Sequence, residues 1–305
     1  MMSFDNIKRV VRGNVAMNEP LGKYTSMRVG GSAECYIEPS DKTDMVSTVR
    51  YLQEIGVPYM VIGRGSNLVV SDEGVRGAVI NMETGVSALR LDGPMVYAES
   101  GVRLNKFVDF CIQNSRGGVE MLAGIPGTVG GAVVMNAGAH GGEISDHIVG
   151  VEVLRDADVR TVPKADAQFA YRKSGFVGDV VLSATFDLPF ADKEELIRKR
   201  RELILRRNES QPLELPNSGS MFKNPANTFA ARLIEQAGLK GKRIGDAQIS
   251  EKHANFIVNL GNAKAADVVR LIELARRTVY QNTGIMLELE VKLLGFPQEQ
   301  TEKAV

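Results

Sequence analysis

Along most of this chain apolar and polar positions alternate in short bursts, and helical spacing is confined to a few longer stretches. Met45, Val49, Leu52 and Ile55 fall on one helical face, predicting a helix that either Ser40 or Asp41 can cap. Strands are predicted on both sides, at 33–38 before Pro39 and at 58–62, giving a β-α-β unit. After Gly63-Arg64-Gly65-Ser66-Asn67 the pattern stays strand-like at 68–70, turns at 71–74 and resumes at 77–81. A hairpin is expected at 86–100 around Asp92-Gly93, then a helix at 104–114 with Leu104, Phe107, Val108 and Cys111 on one side. Strands at 149–154 and 159–162 pair across a turn, and 180–188 reads as a buried strand, so the middle third is an α+β layer of mixed sheet. A charged helix over 191–207 leads past Pro212 and Pro216 into a last unit. That unit offers 218–222, a helix at 229–237, strands at 243–249 and 255–259, a helix at 265–281 and a final strand at 286–294.

One stretch breaks the pattern. Nine of the 26 residues from Gly117 to Gly142 are glycine, and none from Met121 to Gly142 is Asp, Glu, Lys or Arg. Glycine loses more backbone freedom on folding than any other residue, so a cluster this dense needs a reason. It reads either as tight turns between short strands or as backbone that closely approaches a ligand, with bare N–H groups for an anion. The density favours the ligand.

Composition narrows the partners. At 305 residues there is room for two or three domains. Lys+Arg and Asp+Glu are both 37, so no global field recruits nucleic acid or a membrane surface. Arg198-Lys199-Arg200-Arg201 has acids interleaved around it and reads as a solvated face. Cys35 and Cys111 match no metal or redox spacing, and the three histidines form no cluster, so free thiols in a cytoplasmic protein without a metal are expected. The first glycine loop is no dinucleotide fingerprint, because no third glycine follows and no helix opens after it; nor does a P-loop occur.

Three polar residues stand where chemistry could sit. Arg172 precedes an apolar strand and is either held inward, suited to a carboxylate, or a surface arginine with its stem packed. Ser220 is either a turn serine or a proton donor, since no GxSxG elbow surrounds it. Glu288 and Glu290 share one face of the final strand, which is either solvent-facing or lines a site. His253 reads as a satisfied structural histidine.

Taken together these stretches resemble the UDP-N-acetylenolpyruvoylglucosamine reductase family over nearly the whole chain. Residues 24–31 look like its opening motif, and Gly63, Arg64, Gly65, Ser66 and Asn67 like its first flavin loop. Gly124, Ile125, Pro126, Gly127, Thr128, Gly130, Gly131, Asn136, Ala137 and Gly138 look like the second. Tyr171-Arg172-Lys173-Ser174, residues 219–225, 252–256 and Glu290-Val291 complete the series in the family's order. The resemblance implies an α+β protein: a two-subdomain FAD-binding fold of the vanillyl-alcohol-oxidase type (1–82, joined by the tail 295–305, and 83–210) and a smaller α+β substrate-binding domain (211–294). It implies non-covalent FAD, NADPH as co-substrate, a nucleotide-sugar substrate and no obligate protein partner. Ser220 matches the family's proton donor, Glu290 its enol-stabilising glutamate and Arg172 its carboxylate-binding arginine. Tyr171, Lys223 and Asn224 match substrate contacts; Arg207 and Gln211 are further nucleotide candidates. The length fits the shorter subclass, without the extra segment and covering tyrosine of longer members. The competing readings are another flavoprotein on the same scaffold and a nucleotide-sugar binding protein that has lost its flavin; intact loop glycines and the Ser220, Glu290, Arg172 set weigh against both.

Overall fold

The structure, a computed structural model, describes Phe4 and residues 6–297. The chain divides into two compact units, each discontinuous in sequence: residues 1–17, 35–64 and 77–207, and residues 18–34, 65–76 and 208–305.

The first unit is built on two sheets. One has the strand order Asn14–Pro20, Ser32–Glu38, Val75–Asn81, Tyr59–Ile62 and belongs mainly to this unit. Val75–Asn81 takes the slot between the two strands of the expected β-α-β unit and pairs parallel with Tyr59–Ile62. The intervening helix, Lys42–Glu54, is capped by Asp41, which accepts from the Asp44 amide. Its Met45, Val49 and Leu52 are buried against Cys35, Ile37, Ala78 and Ile80, whereas Ile55 falls just past the helix and is exposed. The other sheet runs Asp158–Pro163, Ile148–Arg155, Val180–Phe186, Met95–Glu99, Leu89–Asp92. Every pairing in it is antiparallel, which corrects the expected mixed sheet. Short connections at 93–94 and 156–157 account for its outer pairings, since tight turns force reversal of direction. The helix Leu104–Gln113 buries Leu104, Phe107, Val108 and Cys111 on one side of this sheet's core.

The second unit has the sheet order Asn217–Ser220, Phe256–Asn259, Ala247–Ile249, Arg243–Ile244, with the helices Ala230–Gln236 and Ala265–Thr283. The expected single strand over 243–249 is a hairpin: Ile244 pairs with Ala247, and Gly245 takes φ +55° at the bend. Of the expected strand over 286–294 only Lys292–Leu294 forms one, parallel to Leu68–Val70. Upstream of it the carbonyls are met individually: Arg276 Nε donates to Leu287, the Lys223 amide to Glu288 and Asn67 Nδ2 to Glu290. Met27, Val29 and Val69 complete the buried core of this unit. Residues 298–305 of the expected packing tail lie outside the described residues.

Candidate active site

Most of the glycine-rich stretch is not a string of turns. After Gly124-Ile125-Pro126-Gly127, a short helix runs Val129–Met135. Thr128 caps it, Oγ1 accepting from the Gly131 amide at 3.5 Å, and Asn136 closes it in the left-handed region at φ 44°. The capping threonine was a usable signal; Gly130 and Gly131 masked it. Gly130 has a packing reason, since an added Cβ would sit 2.5 Å from the Ser100 Cβ, and its amide donates to the Ser100 carbonyl. Gly124 and Gly127 take φ of +80° and +147°, conformations that a side chain would strain.

Gly63, which opens the first glycine loop, meets Thr128 of the second inside the first unit. A Cβ at Gly63 would fall 2.3 Å from Thr128 Oγ1 and 2.9 Å from its Cγ2. Next to Gly63, Arg64 Nη1 lies 3.3 Å from Glu83 Oε1, which also takes Arg103 Nε. The contact thus joins a bare backbone, the Thr128 hydroxyl, the exposed Gly131 beside it and the neighbouring Arg64 cation, a set that suits a diphosphate without a Rossmann helix. These residues fit FAD held by its diphosphate.

Three hydrogen bonds sew the second loop to the Tyr171–Ser174 corner. Asn136 Nδ2 donates to the Ala170 carbonyl at 3.0 Å, Arg172 Nη2 to the Gly138 carbonyl at 2.8 Å and Ser174 Oγ to the Val134 carbonyl at 2.8 Å. Asn136 also donates to Glu143 at 2.6 Å, while its buried Oδ1 has no hydrogen-bond partner among the described residues. Arg172 itself takes φ +54°, and its guanidinium lies over the Tyr171 ring at 4.9 Å. Such left-handed geometry in a non-glycine residue marks a constrained corner. Arg172 is half-buried rather than a free surface arginine. On the other side of Gly124, where a Cβ would lie 3.1 Å from Arg207 Cδ, burial pulls the Arg207 guanidinium down to about 10, still cationic near neutrality.

Ser220 and Glu290 come together in the second unit. Ser220 ends the strand Asn217–Ser220, opposite Phe256. The next carbonyl, that of Met221, accepts from the Glu290 amide at 2.9 Å and from Val291 at 3.4 Å. Both flanks are tied to residues 67 and 68, where the first glycine loop passes into the strand Leu68–Val70: Ser218 Oγ donates to the Leu68 carbonyl at 2.8 Å, Asn67 Nδ2 to the Glu290 carbonyl at 3.0 Å. Lys223 pairs with Glu288, and Asn224 Oδ1 accepts from the Ala230 amide at the start of a helix. Gln211 Oε1 is buried with no hydrogen-bond partner among the described residues. His253 is less satisfied than expected: its Nδ1 is buried without a partner among the described residues, its ring packs edge-on against Phe256 at 4.8 Å, and burial holds its imidazole below the ordinary value. Arg172 belongs to the first unit, Ser220 and Glu290 to the second.

The model of the UDP-N-acetylenolpyruvoylglucosamine reductase C-terminal domain matches residues 211–294, and that of the FAD binding domain matches 33–162. The UDP-N-acetylenolpyruvoylglucosamine reductase of Chloroherpeton thalassium is 46% identical over 312 residues, covering 99% of this chain and 100% of that one. The chain belongs to that reductase family. The reductase of Geobacter metallireducens is 40% identical over 96% of this chain and 98% of its own. The crystal structure of the Thermus caldophilus reductase superposes with a TM-score of 0.79 at 37% identity, covering 93% of this chain and 99% of that one. The fold is accordingly an FAD-binding domain joined to the reductase C-terminal domain. As a family member the chain is an FAD-dependent UDP-N-acetylmuramate dehydrogenase, an oxidoreductase of peptidoglycan synthesis. Among the described residues no group of His, Cys, Asp and Glu could hold a metal, and no helix of the reductase is long and apolar enough to cross a membrane.

Proposed function

We propose that the enzyme takes its electrons from NADPH and passes them to the enolpyruvyl group of UDP-N-acetylglucosamine-enolpyruvate, with Ser220, Glu290 and Arg172 serving the second half-reaction. When bound, non-covalent FAD would supply the two-electron redox chemistry that links NADPH to the methylene carbon of the enol ether. Ser220 holds the proton that must reach the carbon beside the carboxylate, so that hydride plus proton saturate the double bond. Arg172 meets that carboxylate; its hydrogen bond to Gly138 and its stacking on Tyr171 leave a planar fork set at a fixed angle. Glu290 faces the enolic intermediate, where charge develops between the substrate carbon and its carboxylate. Groups aimed at such charge contribute factors of about 100–1000 each. Lys223, Asn224 and Tyr171 contact the nucleotide sugar.

In this reading FAD is met by Gly63, Arg64, Gly65, Ser66 and Asn67 and by the second loop from Gly124 to Gly138. In the same reading residues 1–82 and 83–210 are the two flavin-binding subdomains and 211–294 the substrate domain, a division by sequence range that differs from the two compact units, since 18–34 and 65–76 pack in the second. The enzyme acts in the bacterial cytoplasm. The observation that supports the chemistry is the shared Met221 carbonyl, which sets the backbone of Glu290 one residue from Ser220.

Single-turnover kinetics tests it. FAD reduced by NADPH is expected to be reoxidised by the enolpyruvyl nucleotide sugar in the wild type. In Ser220→Ala reduction is retained while reoxidation falls by about 100–10,000-fold, the range of a lost general acid. Equal loss in both halves would remove Ser220 from the proton-donor role.

A further inference from the structure

Asn67 sits in the first flavin loop, yet its side chain is turned to another task. Its Nδ2 donates to the Glu290 carbonyl at 3.0 Å, and its own carbonyl accepts from the Lys292 amide at 3.0 Å. The two bonds bracket Glu290-Val291 from one side while the Met221 carbonyl takes both amides from the other. Glu290 lies outside the ladder of Lys292–Leu294, so these contacts do for it what a regular strand neighbour would otherwise do. Ser218, two residues before Ser220, is fixed to the next carbonyl along the chain, that of Leu68 at the start of the strand Leu68–Val70.

We propose that Asn67 is a positioning residue for Glu290: its amide fixes the main chain that carries this carboxylate, so that the end of the flavin loop sets where the glutamate stands. The inference rests on the proposed role of Glu290 in the second half-reaction.

Two measurements on Asn67→Ala test it. In FAD-free protein, hydrogen exchange at the amides of 290–292 is expected to quicken by about fivefold, the worth of one net hydrogen bond, with exchange in the first unit's helix Leu104–Gln113 unaltered. In single-turnover reoxidation by UDP-N-acetylglucosamine-enolpyruvate, the rate at saturating substrate is expected to fall by about 10–100-fold with the half-saturating concentration within threefold of wild type, the pattern of a displaced group rather than lost binding. Introduced into Glu290→Gln, the same substitution is expected to cost less than threefold, because the group it positions is already gone. If the alanine form does not accumulate, Asn67→Asp, equal in size but setting an acceptor against the Glu290 carbonyl, is expected to show at least as large an increase in exchange and loss of rate. Unchanged exchange at 290–292, or an undiminished cost in the Glu290→Gln background, overturns the proposal. A wild-type enzyme that the enolpyruvyl substrate does not reoxidise overturns the parent reading instead, and the exchange result still decides the geometry.

Discussion

Gly63→Ala puts one methyl group where the two glycine loops touch. The added carbon would lie 2.3, 2.9 and 3.1 Å from Oγ1, Cγ2 and Cβ of Thr128. Thr128 is 3% exposed and β-branched, and it caps the helix Val129–Met135, so turning away from the added methyl would give up the cap. Relief requires one backbone to move. Overpacking of this kind costs about 1–3 kcal/mol, and we expect about 2 kcal/mol in urea unfolding of the FAD-free protein. Thr128→Ala, which removes Oγ1 and Cγ2, costs about 1 kcal/mol through the lost cap. In the double variant only the 3.1 Å Cβ contact survives, so its loss is expected to stay near 2 kcal/mol, a coupling of about 1 kcal/mol. If both loops grip the cofactor, Gly63→Ala also weakens FAD binding by at least about tenfold, which is 1.4 kcal/mol. Flavin fluorescence titration reads this without interference, since the chain has no tryptophan. Single-variant costs that add to within about 0.5 kcal/mol would refute the reasoning, because independent sites add and touching ones do not.

Other outcomes follow from the site. Arg172→Lys is expected to raise the half-saturating substrate concentration and slow reoxidation by about 10–100-fold with reduction by NADPH little altered, since a lysine cannot grip a carboxylate at two points; stopped-flow of the two half-reactions reads it. Gly127→Val, at φ +147°, is expected to lower the flavin content of purified protein, measured after denaturation; full occupancy would count against that loop as a cofactor contact. Burial pushes the thiols of Cys35 and Cys111 up to about 11 and 12, from an ordinary 9.0. Both folded values exceed the unfolded one, so the stability they contribute is full below pH 9 and is lost as pH rises toward 11 and 12. Cys111→Ala is expected to flatten that alkaline decline in unfolding titrations, and the native protein to resist thiol reagents at pH 8 that label it fully in denaturant.

What the sequence made legible follows how local each signal is. Asp41 and the Met45, Val49, Leu52 spacing gave the helix Lys42–Glu54 because cap and face lie within its own residues. The Gly130-Gly131 helix was hidden, since its stability comes from Ser100 closing on Gly130 and from Val129 donating to Val102, contacts about 30 residues away. The strand expected over 286–294 failed for the same reason in reverse: leucines alternate correctly, but upstream of Lys292 the pairing shrinks to the single antiparallel bridge Phe222–Leu289, and the side chains of Arg276 and Asn67 take the Leu287 and Glu290 carbonyls on either side of it. The pairing of Ser220 with Glu290 through Met221 joins positions 70 residues apart, and motif order rather than periodicity brought both to notice.

The second unit's interior is assembled from chain ends. Met27, Val29 and Val69 are synthesised early, but Phe222, Leu233, Val268 and Leu287, which enclose them, come only after residue 208. At about 5–20 residues per second the ribosome needs roughly 7–26 seconds to cross the intervening 77–207, and during that time those apolar side chains have no native cover. Synthesis of this enzyme therefore includes an interval in which part of the second unit's core waits for the rest, and a fragment cut at 211–294, lacking Met27, Val29 and Val69, is expected to be poorly soluble when expressed by itself.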